Sequence, residues 1–220
     1  MSRGLGDVYK RQLNILLMNM AALVEQIIAM SVKSLEEQNT ELAGQTVEFD
    51  TKINDAEREI ERLCLKLLLQ YQPVFADDLR RVSTALKMIT DMERIGDQAA
   101  DIAQLNITLI AQKKNWELGE ISQMARGAAC MVSQSIDAYV NHDEELACAV
   151  IASDDEIDDL FSQIKNKVIE QIAADKSKGE QAVDTVMIAK YFERIGDHAV
   201  NVAEWVLFSI TGVHKSHRIM

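Results

Sequence analysis

Glu-Arg-Ile-Gly-Asp occurs at 93–97 and returns unchanged at 193–197, an offset of 100 residues. A second alignment, offset by 104, pairs Met20 with Met124, Val32 with Ile136, Leu42 with Leu146, Val47 with Ile151, Asp50 with Asp154 and Ile53 with Ile157. The change of offset falls where the first half carries Pro73 and the second carries Lys176 to Gly179. Insertions and deletions collect in loops, so the chain is a tandem duplication whose halves must build the same supersecondary unit.

That unit is helical. One proline and nine glycines in 220 residues leave long stretches without a breaker, and no run alternates in the manner of a strand. Leu13, Leu16, Leu17, Met20, Leu23, Val24, Ile27, Ile28 and Val32 follow the spacing of one apolar helical face. A short piece from Thr40 to Val47 is expected to lead into a longer helix starting near Asp50, which buries Ile53, Ile60, Leu63, Cys64, Leu67 and Leu68 and stops at Pro73. A third helix, from Asp77 to Gln112, presents Val82, Leu86, Ile89, Ala99, Ile102 and Leu109. The fold expected is all-α, with one three-helix bundle over 13–113, another over 114–212, a boundary near Lys113 to Trp116, and a polar tail at 213–220. Residues 1–12 do not share the periodicity that starts at Leu13. Asp7 to Gln12 resembles a translated transposon end, so this stretch is read as a non-native leader on a truncated first helix.

Charge narrows the partners. With 23 basic and 35 acidic residues the net charge is −12 and the pI near 4.8. That opposes nonspecific attachment to nucleic acid or anionic membrane, which depends on Lys and Arg neutralising phosphates, and favours cations and basic protein surfaces. Glu25 interrupts the longest apolar run, Met18 to Met30, short of the roughly 18 residues a bilayer span needs, so no membrane insertion is expected. The N-terminus carries no secretory pattern. Cys64, Cys130 and Cys148 are odd in number, far apart and outside any CxxC pair, and are read as reduced core thiols of a cytoplasmic protein.

The acids are arranged. Glu93, Asp97 and Asp101 stand four apart on one helical face, as do Glu193, Asp197 and Asn201. Each stripe borders an apolar face, which in the first half holds Ile89, Met92, Gly96 and Ala99. Like charges at this spacing cost about 0.2 to 0.5 kcal/mol per pair, and more when partly desolvated. Asp50 with Asn54, and Asp154 with Asp158, share a face at the start of the second long helix of each half. If second and third helices pack antiparallel, these groups converge on a cation-sized space. An all-oxygen set suits Mg²⁺, Mn²⁺ or iron and can include zinc, while the lack of nearby Cys and His argues against soft-metal chemistry. Three other readings stand beside it: solvated charged faces, N-caps at Asp50 and Asp154 with Ser153 and Glu156 as a capping box, and neutralisation by Arg94 and Arg194. Gly96 and Gly196 lie inside helices, where each costs about 1 kcal/mol against alanine. Close helix packing compensates, with ligand contact through bare backbone as the alternative. His198 is read as solvent-exposed, with an outer-ligand role as the alternative.

No GxxxxGK[ST], HExxH or GxSxG motif is present, and no glutamate precedes a histidine by three. Nothing pairs a nucleophile with a base, so the chain is read as a non-enzyme.

ITDMERIGDQAADIA at 89–103, its echo AKYFERIGDHAVNVAEW at 189–205, and QPVFADDLRRV at 72–82 closely resemble the PhoU family, over about Leu13 to Gly212. The resemblance implies two similar three-helix bundles that often dimerise. It implies negative regulation of the phosphate-starvation response and control of phosphate uptake, through the ATPase subunit of the phosphate transporter and the sensor histidine kinase of the phosphate regulon. It also implies multinuclear iron or zinc at the ExxxD positions, here Glu93, Asp97, Asp101, Glu193, Asp197 and Asn201, the last departing from the acid found at Asp101. The alternative is a metal-storing or structural bundle, or a regulator of a sodium-phosphate cotransporter.

Overall fold

The structure, a computed structural model, describes residues 2–70, 76–111 and 119–213. The expected stop at Pro73, the boundary at 113–116 and the tail beyond Val213, with His214 and His217, lie outside those residues. The first repeat comprises α1 (Ser2–Glu36), α2 (Thr40–Gln70) and α3 (Ala76–Ala111). The second comprises α4 (Gly119–Asn141), α5 (Glu144–Ala152), α6 (Asp154–Ala174), a 3₁₀ turn (Lys176–Lys178) and α7 (Gly179–Thr211). Among the described residues there is no strand, and the all-α double bundle is as expected.

The first two helices of each repeat are joined by the same device. Gln38 and His142, equivalent under the 104-residue offset, take φ values of 50° and 52°. Asn39 N–H bonds Ser34 O and Gln38 N–H bonds Leu35 O, just as Asp143 N–H bonds Ala138 O and His142 N–H bonds Tyr139 O. This Schellman closure satisfies the last carbonyls of the leading helix. The side chains of Asn39 and Asp143 then accept from the N–H groups of Leu42 and Leu146 and cap the next helix.

The second helices differ between repeats: the short piece and the longer helix expected from the sequence are separate in the second repeat and fused in the first. α2 runs unbroken from Thr40 through Asp50, so Asp50 is mid-helix and caps nothing. In the second repeat the helix is interrupted at Ser153, whose backbone stays in the right-handed helical region and whose hydroxyl donates to Val150 O at 2.7 Å and makes no cap bond. Asp154 therefore opens the first turn of α6, and the expected capping box does not form.

α3 and α7 lie at the centre and make the main contact between repeats, with α1 and α4 meeting more lightly. Phe192, Ile95, Ile102, Ile53, Met20 and Ile27 are among the largest fully buried side chains. α1 extends through residues 2–12. Tyr9 packs against the core and Lys10 pairs with Asp78 at 2.5 Å. Despite Glu25, Val8–Glu36 is the one helix among the described residues long and apolar enough to cross a bilayer, with mean hydropathy 1.8. Its inner stripe of Leu13, Leu17, Met20, Val24, Ile27 and Ile28 is core of the bundle. Of the cysteines only Cys64 is buried, its thiol pushed up to about 11 by burial and then Glu61. Cys130 and Cys148 lie on the outer faces of their helices and are exposed, contrary to the core placement expected for all three.

Candidate functional site

Two grooves rich in carboxylates flank the central helices. In the first, between α2 and α3, Asn54 Nδ2 donates to Asp50 Oδ2 at 2.8 Å. Asp50 Oδ1 is buried and has no hydrogen-bond partner. It comes within 3.0 Å of the point a Cβ on Gly96 would occupy, and Ile53 Cδ1 within 2.9 Å. The missing side chain at Gly96 thus admits both groups, the close packing expected for that glycine. Across the groove Arg94 binds Glu93 (3.4 Å) and Asp97 (3.0 Å).

The potential there is strongly negative. Burial first, then Asp97, pushes the Asp50 carboxyl up, against a downward pull from the Asn54 hydrogen bond. Glu93 is raised by burial and by Asp97, with Arg94 opposing. Glu57, one turn beyond Asn54 on α2 and not singled out from sequence, is raised by burial and Glu61, while Arg94 pulls it down. The signal was present, since Asp50, Asn54 and Glu57 continue one helical face.

The second groove joins α6 to α7 and carries more acid. Asp154 rises to about 6, through burial first and then Asp197, Asp158, Asp155 and Glu193. Asp197 reaches solvent yet is raised by burial of its carboxyl among neighbouring atoms and by Glu193, with Lys190 and His198 opposing. Glu193 is only 9% exposed, and Lys190 donates to both of its oxygens. Gly196 is roomier than its counterpart, with Ile157 Cγ2 3.5 Å and Asp154 Oδ1 3.8 Å from a Cβ position.

The structure therefore brings together Asp50, Asn54, Glu93 and Asp97 in one groove, and Asp154, Asp158, Glu193 and Asp197 in the other. Asn201 goes elsewhere, and Asp101, whose charge still helps to raise Asp50, also faces α7. Burial pushes the Asp101 carboxyl up, and Tyr191 of α7 beside it pulls it down, with Asp97 adding to the rise and Arg194 opposing it. Arg94 thus offsets its own groove, while Arg194 serves an acid of the other repeat. Asn201 Nδ2 donates to Asp91 Oδ1 at 3.1 Å. His198 Nδ1 lies 2.9 Å from the same oxygen, and with 22% and 15% of their side chains exposed, His198 and Asp91 form a half-buried pair. This corrects the expectation of a solvated His198.

Oxygen donors, a buried carboxylate oxygen without a donor and an acid raised to about 6 by burial and by neighbouring acids are of the chemistry that suits a hard divalent or trivalent cation. Among the described residues no three Asp, Glu, His or Cys side chains close on one point. The grooves are open, with Arg94 and Lys190 supplying part of the counter-charge.

The PhoU domain matches this chain twice, over residues 17–105 and 121–206. A phosphate-specific transport system accessory protein PhoU homolog of Clostridium acetobutylicum is 34% identical, covering 96% of this chain and 97% of that one. A homolog 1 of Thermotoga maritima is 33% identical over 93% of this chain and 89% of its own. The crystal structure of PhoU from Pseudomonas aeruginosa superposes with a TM-score of 0.91 at 29% identity, covering 94% of this chain and 99% of that one.

Proposed function

The chain belongs to the PhoU domain family, and from that premise we propose that it is an accessory regulator of phosphate-specific transport, restraining phosphate uptake and the phosphate-starvation response. The observation that carries this reading is the end-to-end relation, over both repeats, to proteins named as phosphate-specific transport accessory proteins. Its partners are the transporter's ATPase subunit and the sensor histidine kinase of the phosphate regulon, and it works as a cytoplasmic homodimer.

The two grooves are the working surface. Asp50, Asn54, Glu93 and Asp97 hold one cation, and Asp154, Asp158, Glu193 and Asp197 another, with iron or zinc, or magnesium or manganese, as the metal. A bound cation supplies positive charge that neutralises the acids and offers a docking point for phosphate or a protein partner. The chain's own residues position that charge: Gly96 lets Asp50 reach α3, and Lys190 and Arg94 keep the flanking acids in place. Regulation follows where a partner binds one functional state better than another, because a ligand shifts an equilibrium only by its differential affinity.

The test pairs binding with physiology. Pull-down of the transporter ATPase subunit is expected to drop at least tenfold for the Glu93→Ala, Asp97→Ala double variant. Deletion of the gene is expected to derepress a phosphate-starvation reporter in phosphate-replete cells. Unchanged pull-down removes the groove from the interface, and an unresponsive reporter removes the regulatory role.

A further inference from the structure

By spacing, positions 101 and 201 complete the acid stripes, but their contacts lie across the interface between α3 and α7. The 100-residue offset makes Asp91 equivalent to Tyr191 and Asp101 equivalent to Asn201. The contacts exchange these positions: Tyr191 meets Asp101, and Asn201 meets Asp91. Position 91 of one repeat thus faces position 201 of the other, and 191 faces 101, as in a two-fold interface where residue i meets j and j meets i. Each contact holds one carboxylate and one neutral donor, but the carboxylate sits on position 101 in one contact and on position 91 in the other. Both acids belong to α3, and both neutral donors to α7.

We propose that residues 101 and 201 are positioning residues of the inter-repeat interface, matched to residues 191 and 91, and not members of the cation sets. This accounts for the departure of Asn201 from the acid pattern. An aspartate there would set a second carboxylate against Asp91 Oδ1, where Asn201 now donates at 3.1 Å and His198 Nδ1 lies at 2.9 Å. Like charges held that close repel, the more so because Asp91 is mostly buried although Asn201 reaches solvent. The pairs also fix the register of α3 against α7, and with it the spacing of the two grooves. The pairing is independent of the cation reading, and only the second arm of its test uses that reading.

The test is a swap, read by thermal unfolding and by Mn²⁺ binding to the full chain. Asn201→Asp is expected to lower Tm by about 2–4 °C, the shift roughly 1 kcal/mol produces in a chain of this size. Adding Asp91→Asn, which restores one acid and one amide with their places exchanged, is expected to regain at least half of that loss. Mn²⁺ affinity, followed by titration calorimetry and by the loss of free-ion electron resonance signal, stays within twofold of wild type in Asn201→Asp and in Asp101→Asn. The assignment is overturned if Asn201→Asp is as stable as wild type, if the double variant gains nothing over the single, or if Asn201→Asp tightens Mn²⁺ binding tenfold. A wild type that binds no Mn²⁺, iron or zinc defeats the cation reading alone, and the stability swap still decides the pairing.

Discussion

Ile53 in the first repeat and Ile157 in the second occupy equivalent positions, and each runs into a glycine, but not into the same one. Ile53 Cδ1 lies 2.9 Å from the Cβ position of Gly96 on α3, whereas Ile157 Cδ1 lies 2.7 Å from that of Gly127 on α4. Gly196, the sequence partner of Gly96, is left with only ordinary contacts. A pentapeptide that survives duplication unchanged has therefore not kept its packing unchanged. What both repeats retain is the carboxylate of Asp50 or Asp154 turned toward the third helix, with the isoleucine tilted to opposite neighbours.

Alanine substitution at the two glycines is the strongest way to break this comparison. Gly96→Ala pushes the ends of the Ile53 and Asp50 side chains outward, and overpacking of typically 1–3 kcal/mol, set against a helix-propensity gain of about 1 kcal/mol, leaves a net loss of up to about 2 kcal/mol. Gly196→Ala meets nothing closer than 3.5 Å and is expected to gain up to about 1 kcal/mol through helix propensity. Urea unfolding of the two variants should give opposite signs, and equal effects would mean that the glycines are structurally equivalent.

Acidity provides a smaller contrast. Asp154 is raised from 3.8 to about 6, so the folded, cation-free protein holds a proton there that the unfolded chain has released. The stability tied to that proton is full below pH 3.8 and is lost as pH rises through 6, leaving a penalty at pH 7. Asp154→Asn is expected to raise Tm at pH 7 in chelator by about 2–4 °C, with the gain shrinking toward pH 5. Asp50→Asn should gain less, because Asn54 already bonds that carboxylate. A saturating divalent cation should erase the difference between wild type and Asp154→Asn; a gain independent of pH would break the account.

The smallest effect tests likeness. Gln38→Gly and His142→Gly relieve the same positive-φ turn and are each expected to stabilise by about 0.5–1 kcal/mol. Unequal gains by differential scanning calorimetry would show that the two connections, alike in hydrogen bonding, carry different strain.

Helical class, duplication and the clustering of Asp50 with Asp97 were legible because they follow from the 3.6-residue period and from antiparallel packing of neighbouring helices. The difference between the second helices was not, since the break expected before Asp50 occurs only before its counterpart Asp154, and the sequence shows neither proline nor glycine at either place. Nor was the partner of His198, because Asp91 stands 107 residues away and no local periodicity connects them. The cysteines misled for a related reason. A thiol sits acceptably inside or outside a helix, so its type says less than its phase, and the phases of Cys130 and Cys148 point outward.

The interruption at Ser153 gives the second groove a property the first lacks. α2 carries Asp50 and Asn54 inside a single helix of 31 residues. Asp154 stands in the first turn of α6, one residue past the break between two helices. Two grooves of similar charge are thus built differently: the first sits along an uninterrupted helix, and the second holds its leading acid among the free N–H groups of a helix start, where a negative charge is favoured.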